Sequence, residues 1–116
     1  LTVSATLSNV DLVQAQLDAY NAQDLDAYCA FFADDIVVAD LNGQVTTEGN
    51  EAYRARYAAA FEKFPQNKVE LLNRMVCGST VIDHEKVIRA PGGETFEILA
   101  IYTLADGKIA RVDFAK

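Results

Sequence analysis

The sequence predicts a single α+β domain in which three helices from its N-terminal half pack on one face of a curved antiparallel sheet. Three observations lead there. The 116 residues suit one domain and not two. Apolar residues recur at helical spacing before Pro65, and beyond Pro65 the chain reads as long strands separated by glycine-containing turns. Helices followed by a run of strands form a helix layer on one face of an antiparallel sheet.

The first helix follows from Val10, Val13, Leu17 and Tyr20, which share one face, with Ser8 or Asn9 as its cap. Residues 1–8 are then an N-terminal extension of a domain spanning 1–116. Asn21-Ala22-Gln23 interrupts the pattern. A shorter helix begins after Asp24, carries Leu25, Tyr28, Cys29 and Phe32 on one stripe, and ends at Asp34-Asp35. The β-branched run Ile36 to Leu41 is a strand entering an Asn42-Gly43 turn. A third helix runs from about Asn50 to Phe64, with Tyr53, Tyr57, Phe61 and Phe64 on its apolar stripe, and Pro65 stops it. Four strands follow: Lys68 to Cys77, Thr80 to Ala90, Glu94 to Leu104 and Lys108 to Ala115. Their turns are Gly78-Ser79, Pro91-Gly92-Gly93 and Asp106-Gly107.

Composition narrows the function. A formal charge of -7 with no cluster of Lys and Arg argues against nucleic acid and anionic membrane as partners. No apolar run approaches the roughly 18 to 20 residues of a membrane span. Leu1 to Asn9 lacks the charged start and apolar stretch of a signal peptide, so a cytoplasmic protein is expected. Cys29 and Cys77 lie far apart and read as reduced, buried thiols. Zinc-ligand spacings, glycine-rich phosphate loops and nucleophile elbows are missing from the sequence, so neither a metal nor a cofactor is expected.

The stretch Tyr20-Asn21-Ala22-Gln23-Asp24-Leu25-Asp26-Ala27, with Phe31-Phe32-Ala33-Asp34-Asp35 after it, resembles the opening of the ketosteroid isomerase and SnoaL-like families of the nuclear-transport-factor-2-like superfamily. Ile101 to Val112 is similar to their last hairpin, and Asp83-His84-Glu85 to a run found in some SnoaL-like members. The resemblance implies a cystatin-like fold, a cone-shaped curved antiparallel sheet with the three helices on its concave face, and a small-molecule pocket. It also implies that Asp40 stands at the position of a general base, with Phe32 and Tyr57 as pocket aromatics. In ketosteroid isomerase, an aspartate base works beside an oxyanion hole formed by a tyrosine and a protonated aspartic acid. Here Gln16 stands where that tyrosine should be and Ala100 where the acid should be. Loss of one such donor typically costs a rate factor of about 10² to 10³, so the resemblance does not carry the steroid reaction with it.

The candidate catalytic residues are Asp40, His84 and Tyr57. Asp40 ends an apolar strand, where burial would raise its pKa and make it a better base near neutrality; alternatively it starts the Asn42-Gly43 turn and faces water. His84, the only histidine, has Asp83 and Glu85 as neighbours, one of which could fix its tautomer. Adjacent strand residues face opposite ways, so turn length decides which of the three point inward. A three-residue Pro91-Gly92-Gly93 loop pairs His84 with Ala100 on the pocket side, which is the expectation adopted. A two-residue Gly92-Gly93 turn pairs Glu85 with Ala100 and sends His84 outward. Likewise, Asp113 faces Ala100 if the last turn has two residues and faces outward if it has three; the alternation of Ala110, Val112 and Phe114 favours the second.

The expected ligand-contacting residues are Gln16, Tyr20, Phe32, Tyr53, Ala100, Val112 and Phe114. Gln16 and Tyr20 lie one helical turn apart and can present polar tips to one cavity. Arg54 and Arg56 flank the third helix's apolar stripe and read as solvated charges. Leu99 and Ile101 point away from Ala100, and unprotected aliphatic surface of this kind tends to be covered; the resemblance implies that this outer sheet face meets a second copy in a homodimer. The leading expectation is a cofactor-independent isomerase, cyclase or dehydratase acting on a small apolar carbonyl or hydroxyl compound. The alternatives are a non-catalytic ligand-binding or dimerisation module and, less strongly, an epoxide hydrolase using an Asp–Arg pair.

Overall fold

The computed structural model describes residues 7–116. Most of the expected extension, 1–6, lies outside the described residues; Ser8 is the N-cap of the first helix, α1 (Asn9–Asn21), where its hydroxyl accepts from the Asp11 backbone N–H. Asp24 does the same for α2 (Leu25–Ala30), accepting from Ala27. Such caps satisfy backbone donors that a helix start leaves open. The remaining elements are β1 (Phe32–Asp40), β2 (Val45–Glu48), α3 (Asn50–Lys63), β3 (Lys68–Cys77), β4 (Thr80–Ile88), β5 (Thr95–Ala105) and β6 (Lys108–Ala115).

The architecture is α+β, with three helices against a curved, unclosed six-stranded sheet of order β2-β1-β6-β5-β4-β3. Strands β3 to β6 form the expected antiparallel meander. One pairing differs: β1 lies parallel to β6, so the sheet is mixed. The chain between β1 and β6 is long enough to return to the same edge, which is what a parallel neighbour requires.

Other expectations are corrected as well: Cys77 is exposed although Cys29 is buried, β4 ends at Ile88 before Ala90, and the α2–β1 boundary moves. Helix α2 ends at Ala30, and Phe32, Asp34 and Asp35 belong to β1. The two acids sit exposed where the β1–β6 register shifts between Phe32 and Val37, so the strand tolerates them without burying charge. Val45-Thr46-Thr47-Glu48, not expected as a strand, pairs with β1 as the sheet edge. The third helix stops as expected before Pro65, with Phe64 as its C-cap.

The core lies between helices and sheet. Val13, Ile36, Val38, Val81 and Ile109 are fully buried there, each contributing roughly 1.5 to 3 kcal/mol. Side-chain amides tie the layers together. Asn50 donates to the carbonyls of Cys29, Phe32 and Ala33 where α2 passes into β1. Asn21 exchanges two hydrogen bonds with the Val69 backbone, at 2.9 and 2.8 Å, which fixes the end of α1 on β3. Among the described residues no helix is long and apolar enough to cross a membrane.

Candidate active site

Between α1, α3 and the inner sheet face is a cavity of about 340 Å³. Its size lies within the range of small-molecule sites. It stays open because the large aromatics pack on one another. Tyr28 stacks on Tyr53, Phe32 and Tyr53 approach to 4.5 Å between ring centroids, and Phe61 meets Tyr20 edge-on at 5.5 Å. The Tyr28 and Tyr53 hydroxyls share a hydrogen bond of 2.6 Å. Burial, reinforced by the neighbouring tyrosines, pushes both phenols well above their ordinary pKa.

The expected site residues fall into three groups. Gln16, Tyr20, Tyr57 and Phe114 line the cavity, and Asp40 stands exposed at its mouth. Phe32, Tyr53, Ala100 and Val112 are buried in the core behind it, which corrects their expected contact with a ligand. His84 is outside altogether: it faces outward, with Nε2 2.6 Å from Glu97.

The His84 correction has a definite cause in the turn. The Gly93 N–H donates to the Ala90 carbonyl, so Pro91 and Gly92 form the two central turn residues, with Gly92 at a φ of 72°. Proline second and a positive-φ glycine third suit a tight reverse turn. This pairs Asp83 with Ala100, His84 with Leu99 and Glu85 with Ile98. Asp83 and Glu85 therefore face inward, on the same side as Val81 and Val87. The last hairpin has a two-residue Asp106-Gly107 turn, but a register shift between Thr103 and Leu104 restores the outward placement of Asp113. Asp113 there pairs with Arg111, as Arg54 pairs with Asp26 on the surface.

Asp83 is wholly buried and receives both Nε and Nη2 of Arg74, at 2.6 and 2.9 Å; Nη1 of the same arginine donates to Gln14. A buried carboxylate requires such a partner. Glu85, two residues on and 4 % exposed, has no comparable one, and its Oε2 is without a hydrogen-bond partner. Burial, and then the Asp83 charge, push the Glu85 carboxyl up to about 8, while Arg74 and the Tyr102 hydroxyl oppose this only in part. Burial thus favours the neutral acid form of Glu85 near pH 7, in a side chain that lines the cavity.

Among the remaining lining residues, Tyr102 and Arg89 were not foreseen and Arg56 was expected as a solvated charge. Tyr102, on β5, has its hydroxyl beside Glu85 and accepts a hydrogen bond of 3.1 Å from Gln16 Nε2. Arg56 lies at the mouth and donates to the Thr46 and Thr47 hydroxyls; among the described residues no ion pair joins it to Asp40. Arg89 lines the cavity beyond β4 and donates to Asn67, which in turn donates to the Tyr20 hydroxyl at 2.7 Å. Burial pushes the Tyr20 phenol up to about 12, so it is a hydrogen-bonding group and not a base at neutral pH. Among the described residues no group of His, Cys, Asp and Glu is arranged to hold a metal ion.

The arrangement is therefore a cavity with an inner set of neutral donors and a carboxylate at its entrance. A family profile described as a SnoaL-like domain matches residues 13–112. An uncharacterized cystatin-fold protein from Novosphingobium aromaticivorans is 37% identical, with a TM-score of 0.89 over 95% of this chain and 99% of that one. A candidate polyketide cyclase from Sinorhizobium meliloti is 29% identical, with a TM-score of 0.78 over 94% and 100% of the two chains. A candidate ketosteroid isomerase from Kribbella flavida shares the fold at 15% identity, with a TM-score of 0.77 over 91% and 75%. No curated protein matches the chain.

Proposed function

The chain belongs to the SnoaL-like domain family, and we propose that it is a cofactor-independent enzyme that moves a proton on a small, largely apolar carbonyl or hydroxyl compound. The observation that carries this reading is Glu85, a buried carboxyl of raised pKa that lines a cavity of ligand size and has one oxygen without a hydrogen-bond partner behind the cavity surface. Buried groups of this kind cost stability, and catalytic sites are where such costs are concentrated.

In the proposed reaction, a substrate carbonyl oxygen accepts hydrogen bonds from the Glu85 carboxyl and a tyrosine hydroxyl, that of Tyr57 or Tyr102. Asp40 takes a proton from the adjacent carbon. The C–H electron pair moves into the new carbon–carbon double bond, and the carbonyl π pair moves onto oxygen, where the two donors stabilise the developing charge. Returning the proton to another carbon gives isomerisation. Expelling a β-hydroxyl gives dehydration, and attack on a second carbonyl gives cyclisation. The likeness to a candidate polyketide cyclase supports this chemistry, since ring closure on a polyketide begins from a carbon acid.

Glu85 and Tyr102 also offer a replacement for the oxyanion donors missing at Ala100 and Gln16. Asp83 pairs across the sheet with Ala100, and Glu85 follows two positions later on the same face. The acid is thus supplied from β4 in place of β5. Gln16, in the position of the absent tyrosine, instead donates to the Tyr102 phenol.

The test is exchange of α-protons for solvent deuterium in 4-phenyl-2-butanone, followed by NMR. The protein should accelerate exchange, and Glu85→Gln and Asp40→Asn should each reduce that acceleration by about 10² or more. Binding of the ketone with exchange no faster than in buffer would instead support a non-catalytic binding module. The specific feature favouring that second reading is the exposure of Asp40 at the Asn42-Gly43 turn.

We further propose that a second copy covers the outer sheet face. Met75, Ile82 and Ile101 form an apolar row across β3, β4 and β5, with Leu99 beside it, and Met75 is 65% exposed. A contiguous apolar surface of this kind suits a self-complementary twofold interface.

A further inference from the structure

Arg89 is a buried-edge cation whose restraint is unusual in this acidic chain. Its guanidinium carbon lies 4.5 Å from the Phe64 ring centroid and 5.1 Å from that of Phe96, so two aromatic rings hold it. Nη1 donates to Asn67 at 3.1 Å, and Asn67 is itself buried. Among the described residues no carboxylate forms an ion pair with Arg89, although the chain carries a formal charge of -7. A guanidinium has five N–H donors, and this one uses one of them on Asn67.

The position of Arg89 relative to the inner donors gives this restraint a use. Val81, Asp83, Glu85 and Val87 alternate inward along β4, and Arg89 continues their parity one residue beyond its end. Both Glu85 and Arg89 line the same cavity, with Val69, Val87 and Ile98 among its apolar walls. Four strand positions separate their Cα atoms by about 13 Å. One end of the cavity therefore offers neutral donors suited to a carbonyl, and the other a fixed, planar cation suited to a carboxylate. Glu85 opposes an anion there less than an ordinary carboxylate would, because burial favours its neutral form.

We propose that the natural ligand carries a carboxylate as well as its carbonyl or hydroxyl group, and that Arg89 is the specificity-determining residue that grips this carboxylate. This deepens the proton-transfer reading and rests on it for the placement of the carbonyl. A planar monoanion fits better than a phosphate dianion, since a single guanidinium edge matches two carboxylate oxygens but compensates only one charge.

The experiment compares 3-benzoylpropionate with its uncharged methyl ester by calorimetric titration at pH 7 and low salt. The probes are used on the parent protein, Arg89→Met and Arg89→Lys. Methionine keeps an apolar stem between Phe64 and Phe96, and lysine keeps the charge without the planar fork. The parent should bind the acid about 10- to 100-fold more tightly than the ester. Arg89→Met should remove that preference while retaining ester binding, which reports an intact pocket; Arg89→Lys should keep only part of it. Equal binding of acid and ester by the parent would overturn the carboxylate inference and leave the pocket reading standing. An acid preference that survives in Arg89→Met would overturn the role of Arg89 and move it to another cation at the mouth. Failure of the parent to bind either probe would overturn the pocket reading together with this inference.

Discussion

Replacing Glu85 with glutamine should flatten the dependence of stability on pH. An unfolded chain holds this carboxyl near its ordinary value of 4.5, whereas the folded protein holds it at about 8. Between those values the folded state binds the extra proton, so stability falls as pH rises. The stabilising contribution is fully present below the unfolded value and is lost through the folded one. Each pH unit inside the window costs about 1.4 kcal/mol, and the integrated loss from about pH 5 to about pH 8 is on the order of 3 kcal/mol. For a domain of this size that corresponds to roughly 10 °C in Tm.

The assay is urea unfolding of the parent and Glu85→Gln at a series of pH values, with the difference between the two curves as the quantity of interest. Subtraction removes the contribution of surface groups common to both. Glutamine retains the size of the side chain and a hydrogen-bond donor but cannot ionise. The difference should therefore grow with pH, in favour of the variant, by about 3 kcal/mol. Parallel curves would refute the reasoning, because they would mean that Glu85 titrates alike in folded and unfolded chains. A difference growing toward acid pH would refute it more sharply, since that sign belongs to a carboxylate stabilised by folding.

The other predictions concern the surrounding structure. Arg74→Met should destabilise the protein by about 3 to 5 kcal/mol in urea unfolding, because it leaves the buried Asp83 carboxylate without its two donors. Tyr53→Phe should cost about 1 to 2 kcal/mol by the same measurement, as it strips the buried Tyr28 hydroxyl of its 2.6 Å partner without changing the aromatic packing. Ile101→Asp, at the β5 end of the outer apolar row, should convert a dimeric parent to monomer in light scattering coupled to size exclusion; a parent that is already monomeric at high concentration would refute the proposed interface.

The helices and meander were legible because each had a strong local signal: caps at Ser8 and Asp24, an aromatic stripe ending at Pro65, and glycine turns between long strands. Strand β2 was not, since Val45-Thr46-Thr47-Glu48 is short and gains its structure by pairing with β1. The parallel neighbour of β1 was also hidden, because pairing between the first and last strands leaves no local trace. Site residues depended on register. Pro91-Gly92-Gly93 permits several turns, and a shift of one residue exchanges His84 for Glu85 at the cavity. The signal that could have decided it lies in β4 itself: Val81 and Val87 share parity with Asp83 and Glu85, so an apolar inner face carries both acids inward. Arg89 shares that parity too. Asp40, by contrast, was placed by family resemblance, and its exposure follows from the turn it begins.

Stability alone gives no reason for this acid-bearing strand face. An apolar replacement of a buried ion pair such as Arg74–Asp83 is often neutral or stabilising by about 1 to 4 kcal/mol. Glu85 adds a further cost, because its neutral carboxyl has an oxygen without a partner. The pair and the acid are also coupled: the Asp83 charge raises the Glu85 pKa, and Arg74 limits the increase. Removing both acids would improve an ordinary core but would leave the cavity without its proton donor. Leaving Glu85 alone without the charged pair would alter the pH at which it loses that proton. The arrangement makes physical sense when the three side chains are considered together, with Arg74 and Asp83 setting the electrostatic environment and Glu85 presenting the reactive proton. In the proposed mechanism the functional centre would extend behind the cavity wall, and Asp83, which is wholly buried, would act on a ligand only through Glu85.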